Sequence, residues 1–99
     1  MKGFELFQTI QTSDITNNVL VNNRENLFAT SIRKNIKVFE SKESGFFLET
    51  QFISFLKYVQ GLGMSANGEF LVVGEIGGST TILERVNHQY QFLQDISIL

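Results

Sequence analysis

Cysteine, proline and tryptophan are all absent from these 99 residues. Without cysteine there can be neither disulfides nor thiolate metal sites, which fits a reducing compartment. No Asn-x-Ser/Thr acceptor occurs, which also favours the intracellular side. Met1 is not followed by a basic segment and an apolar run, so no secretory signal is visible. Long apolar runs are lacking too: stretches such as Leu71-Val72-Val73 fall far short of a membrane span. Positive charge is sparse, with eight Lys+Arg against ten Asp+Glu and a net charge of −2. The densest basic stretch, Arg33-Lys34-Asn35-Ile36-Lys37, is too thin for a phosphate-binding face, because affinity there scales with the phosphates neutralised. Attraction to an anionic membrane is equally unsupported. These absences point to an intracellular, cytoplasmic protein with neither nucleic acid nor membrane as partner. The lack of proline has no explanation in composition alone.

What is present is a folded composition, 42% hydrophobic and 18% charged, with ten Phe supplying nearly all the aromatic content. The length allows one domain. Within it the chain resembles itself. Gly3-Phe4-Glu5-Leu6-Phe7-Gln8-Thr9-Ile10 returns as Gly45-Phe46-Phe47-Leu48-Glu49-Thr50-Gln51-Phe52, and more loosely as Gln89-Tyr90-Gln91-Phe92-Leu93-Gln94-Asp95-Ile96. The leading aromatics Phe4, Phe46 and Tyr90 are 42 and 44 residues apart, and Val38-Phe39-Glu40 recurs as Ile82-Leu83-Glu84 at 44. A step of ~40–45 residues is the period of a four-stranded propeller blade. One such sheet cannot bury its apolar surface alone, so neighbours must stack.

Laid on that period, each unit runs from an inner strand to an outer one. In the first, 18–52, Asn18-Val19-Leu20-Val21 is the inner strand, an Asn-rich turn follows, and Leu27–Ile32 is the second strand. Arg33-Lys34-Asn35 is a polar turn, Ile36–Glu40 alternates as a half-buried third strand, 41–45 is a turn, and Phe46–Phe52 is the outer strand. In the second unit, 57–95, the inner strand is Gln60–Ser65, and Ala66-Asn67-Gly68-Glu69 is a clear turn, since Asn-Gly between apolar runs is a strong hairpin signal. Phe70–Glu75 is the second strand, Ile76-Gly77-Gly78-Ser79 a turn, Thr80–Glu84 the third strand, Arg85–His88 a turn, and Gln89–Asp95 the outer strand. Residues 4–10 become the outer strand of a preceding unit, and Ile96–Leu99 the start of a following inner strand. One segment departs from the pattern. Phe52, Phe55, Leu56, Val59 and Leu62 have helical spacing, so 52–62 is either a short helix or a connection whose aromatics plug the seam between sheets.

Asn26-Leu27-Phe28-Ala29-Thr30-Ser31 with Ile36-Lys37-Val38-Phe39-Glu40 is similar to the middle of a WD40 repeat. Met64-Ser65-Ala66-Asn67-Gly68-Glu69-Phe70-Leu71-Val72-Val73-Gly74 is similar to that family's inner strand, turn and second strand. The resemblance covers nearly the whole chain, with degenerate motifs. Phe39 and Leu83 stand in the family's Trp position, Glu40 and Glu84 in its Asp position. No Gly-His pair precedes either inner strand, and Lys34-Asn35 and Gly77-Gly78 replace the turn Asp. Other propellers, such as the quinoprotein-like ones, remain in play. The resemblance implies an all-β fold: two four-stranded antiparallel propeller blades plus one flanking outer strand, an incomplete propeller. Closure takes ~4–8 blades, so the two outermost sheet faces need the remaining blades or other copies of the chain.

Candidate chemistry is thin. His88 lies in a turn without partners at ligand spacing, and the carboxylates are scattered singly. Glu40 and Glu84 recur at one repeat position and read as strand-ending acceptors of a hydrogen bond from the next turn. Gly74-Glu75-Ile76-Gly77-Gly78-Ser79-Thr80 lacks the Lys-Ser/Thr ending of a phosphate loop and precedes a strand, so it reads as a turn. No Gly-x-Ser-x-Gly elbow is present. The reading is a protein–protein scaffold, not an enzyme, with no cofactor or metal. The alternative is part of a propeller enzyme or small-ligand binder whose site lies on missing blades. The resemblance puts the second-to-third turns and the outer-to-inner connections on one face, the family's docking face. There it gathers Asp14, Arg33, Lys34, Asn35, Ile76 and parts of Ser54–Tyr58, Phe55 and Tyr58 among them. Aromatics and Arg commonly dominate interface energy, although Phe55 and Tyr58 equally suit the seam core.

Overall fold

The computed structural model describes residues 18–41 and 46–97. It is all-β, with eight strands: β1 Asn18–Asn22, β2 Leu27–Ile32, β3 Asn35–Ser41, β4 Phe47–Ser54, β5 Val59–Met64, β6 Phe70–Glu75, β7 Ser79–Val86 and β8 Gln89–Ser97. They form two four-stranded antiparallel sheets in the orders β1-β2-β3-β4 and β5-β6-β7-β8. No helix long and apolar enough to cross a membrane occurs among the described residues.

The two sheets share one register. Leu20 opposes Ala29 and Gly63 opposes Val72; Ala29 opposes Val38 and Val72 opposes Ile82; Val38 opposes Gln51 and Ile82 opposes Gln94. Both outer strands carry a register shift at the same place, between Val38 and Phe39 and between Ile82 and Leu83. A bulge adds one residue and kinks its strand, so its recurrence is a shared backbone feature. Phe39 and Leu83 occupy matching positions, opposite Phe28 and Leu71 respectively. Equivalent residues are 43 apart in β1, β2 and β4 (Leu20 and Gly63, Ala29 and Val72, Phe47 and Tyr90) and 44 apart in β3 (Val38 and Ile82), because the turn after β2 has two residues, Arg33-Lys34, and the turn after β6 has three, Ile76-Gly77-Gly78; Tyr90 thus matches Phe47 and not Phe46.

Strand alternation decides which side chains meet. In β2 and β3, Leu27, Ala29, Ile36 and Val38 point to one face and are buried there. They pack on Val59, Leu71, Val73, Leu83 and Tyr90 of the second sheet, with Leu20, Ile53, Phe55, Leu62 and Met64 around them. At about 25 cal/mol per Å² of apolar area removed from water, this dry seam is the main cohesive term between the sheets. Polar ties edge it. The Gln51 amide donates to the Tyr90 carbonyl at 2.7 Å and accepts from the Tyr90 N–H at 2.7 Å. Arg85 meets Glu40 at 3.2 Å, and Asn22 donates to the carbonyls of Ser65 at 3.2 Å and Ala66 at 3.3 Å. On the far side of the first sheet, Phe28 stacks with Phe39 and Phe47 at centroid distances of 5.3 and 5.8 Å.

Several boundaries differ from the sequence reading. Residues 52–62 contain no helix: β4 runs through Ser54, a connection spans 55–58, and β5 begins at Val59. The 3–4 spacing is the sum of two strands and a bend. Arg85 and Val86 extend β7, leaving Asn87-His88 as a two-residue hairpin turn with φ of 52° and 67°. Two positive φ values fit a type I′ turn, whose twist matches the flanking strands. Ile96 and Ser97 do not begin a new strand but complete β8, opposite Thr80 and Ser79. Residues 4–10, Asp14 and the end of the chain at 98–99 lie outside the described residues.

Candidate interaction face

Three connections converge at one end of the two sheets: the β2–β3 turn, the β4–β5 connection and the β6–β7 turn. Backbone hydrogen bonds tie them together. Phe55 N–H donates to the Lys34 carbonyl at 2.8 Å and Val59 N–H to the Arg33 carbonyl at 2.8 Å. Both ends of the 55–58 connection are thereby fixed to one hairpin turn. Ile76 N–H donates to the Tyr58 carbonyl at 2.9 Å, which joins the third loop. The Ser54 hydroxyl donates to Asn35 Oδ1 at 3.0 Å. All six described residues expected on this face, Arg33, Lys34, Asn35, Phe55, Tyr58 and Ile76, are brought together.

Their roles differ. Phe55 is half-buried and packs against the core, so it plugs the seam. Tyr58 is 47% exposed and Ile76 46%. The Lys34 ammonium lies 5.7 Å from the Tyr58 ring centroid, a cation–π contact worth ~0.5–1 kcal/mol at an exposed site. Arg33 holds φ at 54°. A side chain there costs of order 1–3 kcal/mol and persists only where its surroundings fix it; the Val59 N–H bond to its carbonyl is one such constraint. The third loop uses glycine for the same backbone region, Gly77 at φ 93° and Gly78 at 98°, with Gly78 N–H donating to the Glu75 carbonyl at 3.2 Å. The glycine pair is therefore a turn element.

Two members of the face were not singled out from sequence. Leu56 is 92% exposed at the tip of its loop, and Lys57 brings its ammonium beside Gly77. The helical spacing of 52–62 had grouped Leu56 with buried positions. An exposed leucine between two aromatics in a turn was the available signal.

Behind the loops the sheets splay apart towards β4 and β8. The gap is a cavity of about 380 Å3. Ile53, Phe55, Leu56, Leu83 and Phe92 line it with Tyr90, and Glu75 and Asp95 stand among them. Glu75 accepts a hydrogen bond from the Thr81 hydroxyl at 2.8 Å. The Tyr90 hydroxyl donates to the Gly68 carbonyl at 2.6 Å. Burial pushes the phenol up to about 12, with Glu40 and Glu25 adding to the shift and Arg85 opposing it.

His88 serves its hairpin turn, with Nδ1 3.5 Å from Arg85 Nη2. Neither Glu40 nor Glu84 ends its strand, since β3 runs on to Ser41 and β7 to Val86: Glu40 forms an ion pair with Arg85 of the other sheet, while Glu84 sits at the equivalent place on the outward side of the second sheet, opposite Phe70 and Gln91. Among the described residues, no three His, Asp or Glu side chains gather as a metal would require. No family model matches the chain, and no curated protein is similar to it.

Proposed function

We propose that this chain is a non-catalytic interaction scaffold, a WD40-like propeller segment that presents the three-loop face to a protein partner. The observation that carries the reading is the convergence of Leu56, Tyr58 and Ile76, exposed and apolar, on a loop framework tied by backbone hydrogen bonds. Lys34 and Lys57 flank them. An ordered apolar centre with a polar rim is the form of a binding patch. Its charge suits a partner segment in which aliphatic residues alternate with Asp or Glu. An intracellular setting fits the cysteine-free composition.

Selection from a random peptide display library against the 99-residue chain tests this. Acidic–aliphatic sequences should be enriched, and Tyr58→Ala or Lys34→Glu should abolish their capture while the melting temperature stays within a few degrees. Enrichment of basic peptides, or capture unaffected by Tyr58→Ala, would refute it. A second reading, a binder of a small apolar ligand, is favoured only by the cavity, whose size falls in the small-molecule range. It predicts that fragments shift the NMR signals of Leu83 and Phe92 and leave Tyr58 unmoved.

A further inference from the structure

The repeat register assigns a counterpart to every residue at the seam. The first sheet meets the second through Leu20, Leu27, Ala29, Ile36, Val38 and Gln51. Their register equivalents in the second sheet are Gly63, Phe70, Val72, Thr80, Ile82 and Gln94. These stand on the outward side of the second sheet, away from the first. Phe70, Val72 and Ile82 are only half-buried there. The same face that is covered in one sheet is thus open in the next.

Two further features mark this face. Gln94 sits beside the same bulge as Gln51. Gln51 spends its amide on the backbone of the facing outer strand; Gln94 is exposed. The glycines of the face are not required by the chain itself. A Cβ on Gly61 would meet nothing within 4 Å, and on Gly63 or Gly74 its nearest neighbours lie at 3.9 Å. None of the three has a positive φ. Side chains would fit, and β-propensity would favour them, yet the surface is kept flat beside the inner strand.

The chain also carries the matching face. Leu62 and Met64, which pack against the seam core, have Val19 and Val21 as equivalents on the outward side of β1. These valines are 60% and 53% exposed, whereas Thr30, Ile32 and Phe39 of the same side are already buried. We propose that the outward face of the second sheet, Gly61, Gly63, Val72 and Ile82, receives β1 of a second copy of this chain, with Val19 and Val21 seated on the glycines. The contact repeats the internal seam between β1 and β5. It is heterologous, so each copy keeps one face of each kind and addition continues until the rotation closes.

The test is the solution mass of the full chain by sedimentation velocity and light scattering across concentration. A discrete multiple of 11.2 kDa is expected. Gly61→Lys, which meets no neighbour within the chain, should abolish the oligomer and leave a folded monomer with the same circular-dichroism spectrum, its melting temperature that of the wild type diluted to monomer. Val21→Asp should abolish it from the other side. Mixing the two variants should restore pairs and nothing larger, because each retains one intact face. A wild-type monomer at all concentrations overturns the proposal. So does an oligomer that survives Gly61→Lys, or one insensitive to Val21→Asp, which would mean the second-sheet faces meet each other symmetrically.

Discussion

The two sheets have one backbone and two cores. Their registers agree pair by pair and their outer strands bulge at the same step. Their side chains diverge. Phe28, Phe39 and Phe47 of the first sheet correspond to Leu71, Leu83 and Tyr90 of the second. The aromatic trio clusters with tilted rings on the outward side of the first sheet, while Leu71, Leu83 and Tyr90 face the seam. The inner strands differ more: Asn-Val-Leu-Val-Asn in β1 against Val-Gln-Gly-Leu-Gly-Met in β5. What recurs is the hydrogen-bond register; side-chain volume does not, as Leu20 against Gly63 and Ala29 against Val72 show.

The sharpest way to break the comparison is to cut both members of an equivalent pair. Ile36 is fully buried at the seam and Thr80, its counterpart, lies half-buried on the outward face. Ile36→Ala leaves a cavity among Leu27, Val38 and the second sheet and should cost about 2–5 kcal/mol. Thr80→Ala should stay within ~0.5 kcal/mol. Chemical denaturation in a Gly61→Lys background, where no second copy docks, measures both, and equal losses there would mean that Thr80 is as covered within one chain as Ile36.

A smaller effect separates Tyr90 from Phe47, which has no hydroxyl to titrate. The Tyr90 phenol is held up to about 12 in the fold, chiefly by burial. A raised folded-state value means the native state binds the proton more tightly. The resulting stability is complete below the unfolded value near 10 and is lost as pH climbs from there through the folded value. The rise from about 10 to about 12 makes this up to about 3 kcal/mol across that window. Tyr90→Phe should remove this step, at a cost at neutral pH of about 1–2 kcal/mol for the Gly68 carbonyl left without its donor. Denaturation midpoints at pH 9 and above decide it; an unchanged alkaline slope in Tyr90→Phe would assign the loss to other groups.

How much of this was legible follows from which contacts are local. The strands and turns were, because alternation in Ile36–Glu40 and the Asn-Gly signal are properties of a few neighbouring residues. The bend at 55–58 was ambiguous, because Phe52, Phe55, Leu56 and Val59 mimic a helical period that two strands and a connection also produce. The gathering of Arg33, Lys34, Asn35, Tyr58 and Ile76 was visible only through the repeat, which places equivalent loops at one end. The Gln51–Tyr90 and Glu40–Arg85 ties were invisible. Their partners lie 39 residues apart in the first pair, and nothing in either local sequence specifies the other. Leu56 was hidden by the same false period that suggested a helix.

The turns offer the finest comparison. The inner hairpins have four linking residues in one sheet, 23–26, and five in the other, 65–69, and they place the left-handed residue differently: Asn26 at φ 56° in one and Gly68 at φ 73° in the other. Asn tolerates that region through its short polar side chain, so the first turn works without glycine. The second does not have that option. A Cβ on Gly68 would lie 2.9 Å from Leu27 Cδ1 and 3.1 Å from Glu25 Cγ, so the turn of one sheet rests on the core residue that closes the turn of the other. Gly68→Ala combines the backbone penalty with that collision and should cost about 1–2 kcal/mol. Gly63→Ala, on the open face with its nearest neighbour at 3.9 Å, should be neutral or stabilise by up to ~1 kcal/mol through the unfolded chain. Melting curves of the two variants separate a glycine the backbone needs from one that only a neighbour outside the chain could need. Should Gly63→Ala prove as costly as Gly68→Ala even in a Gly61→Lys background, where no second copy docks, the flat face would be an internal requirement of β5, and the two glycines would no longer differ in kind.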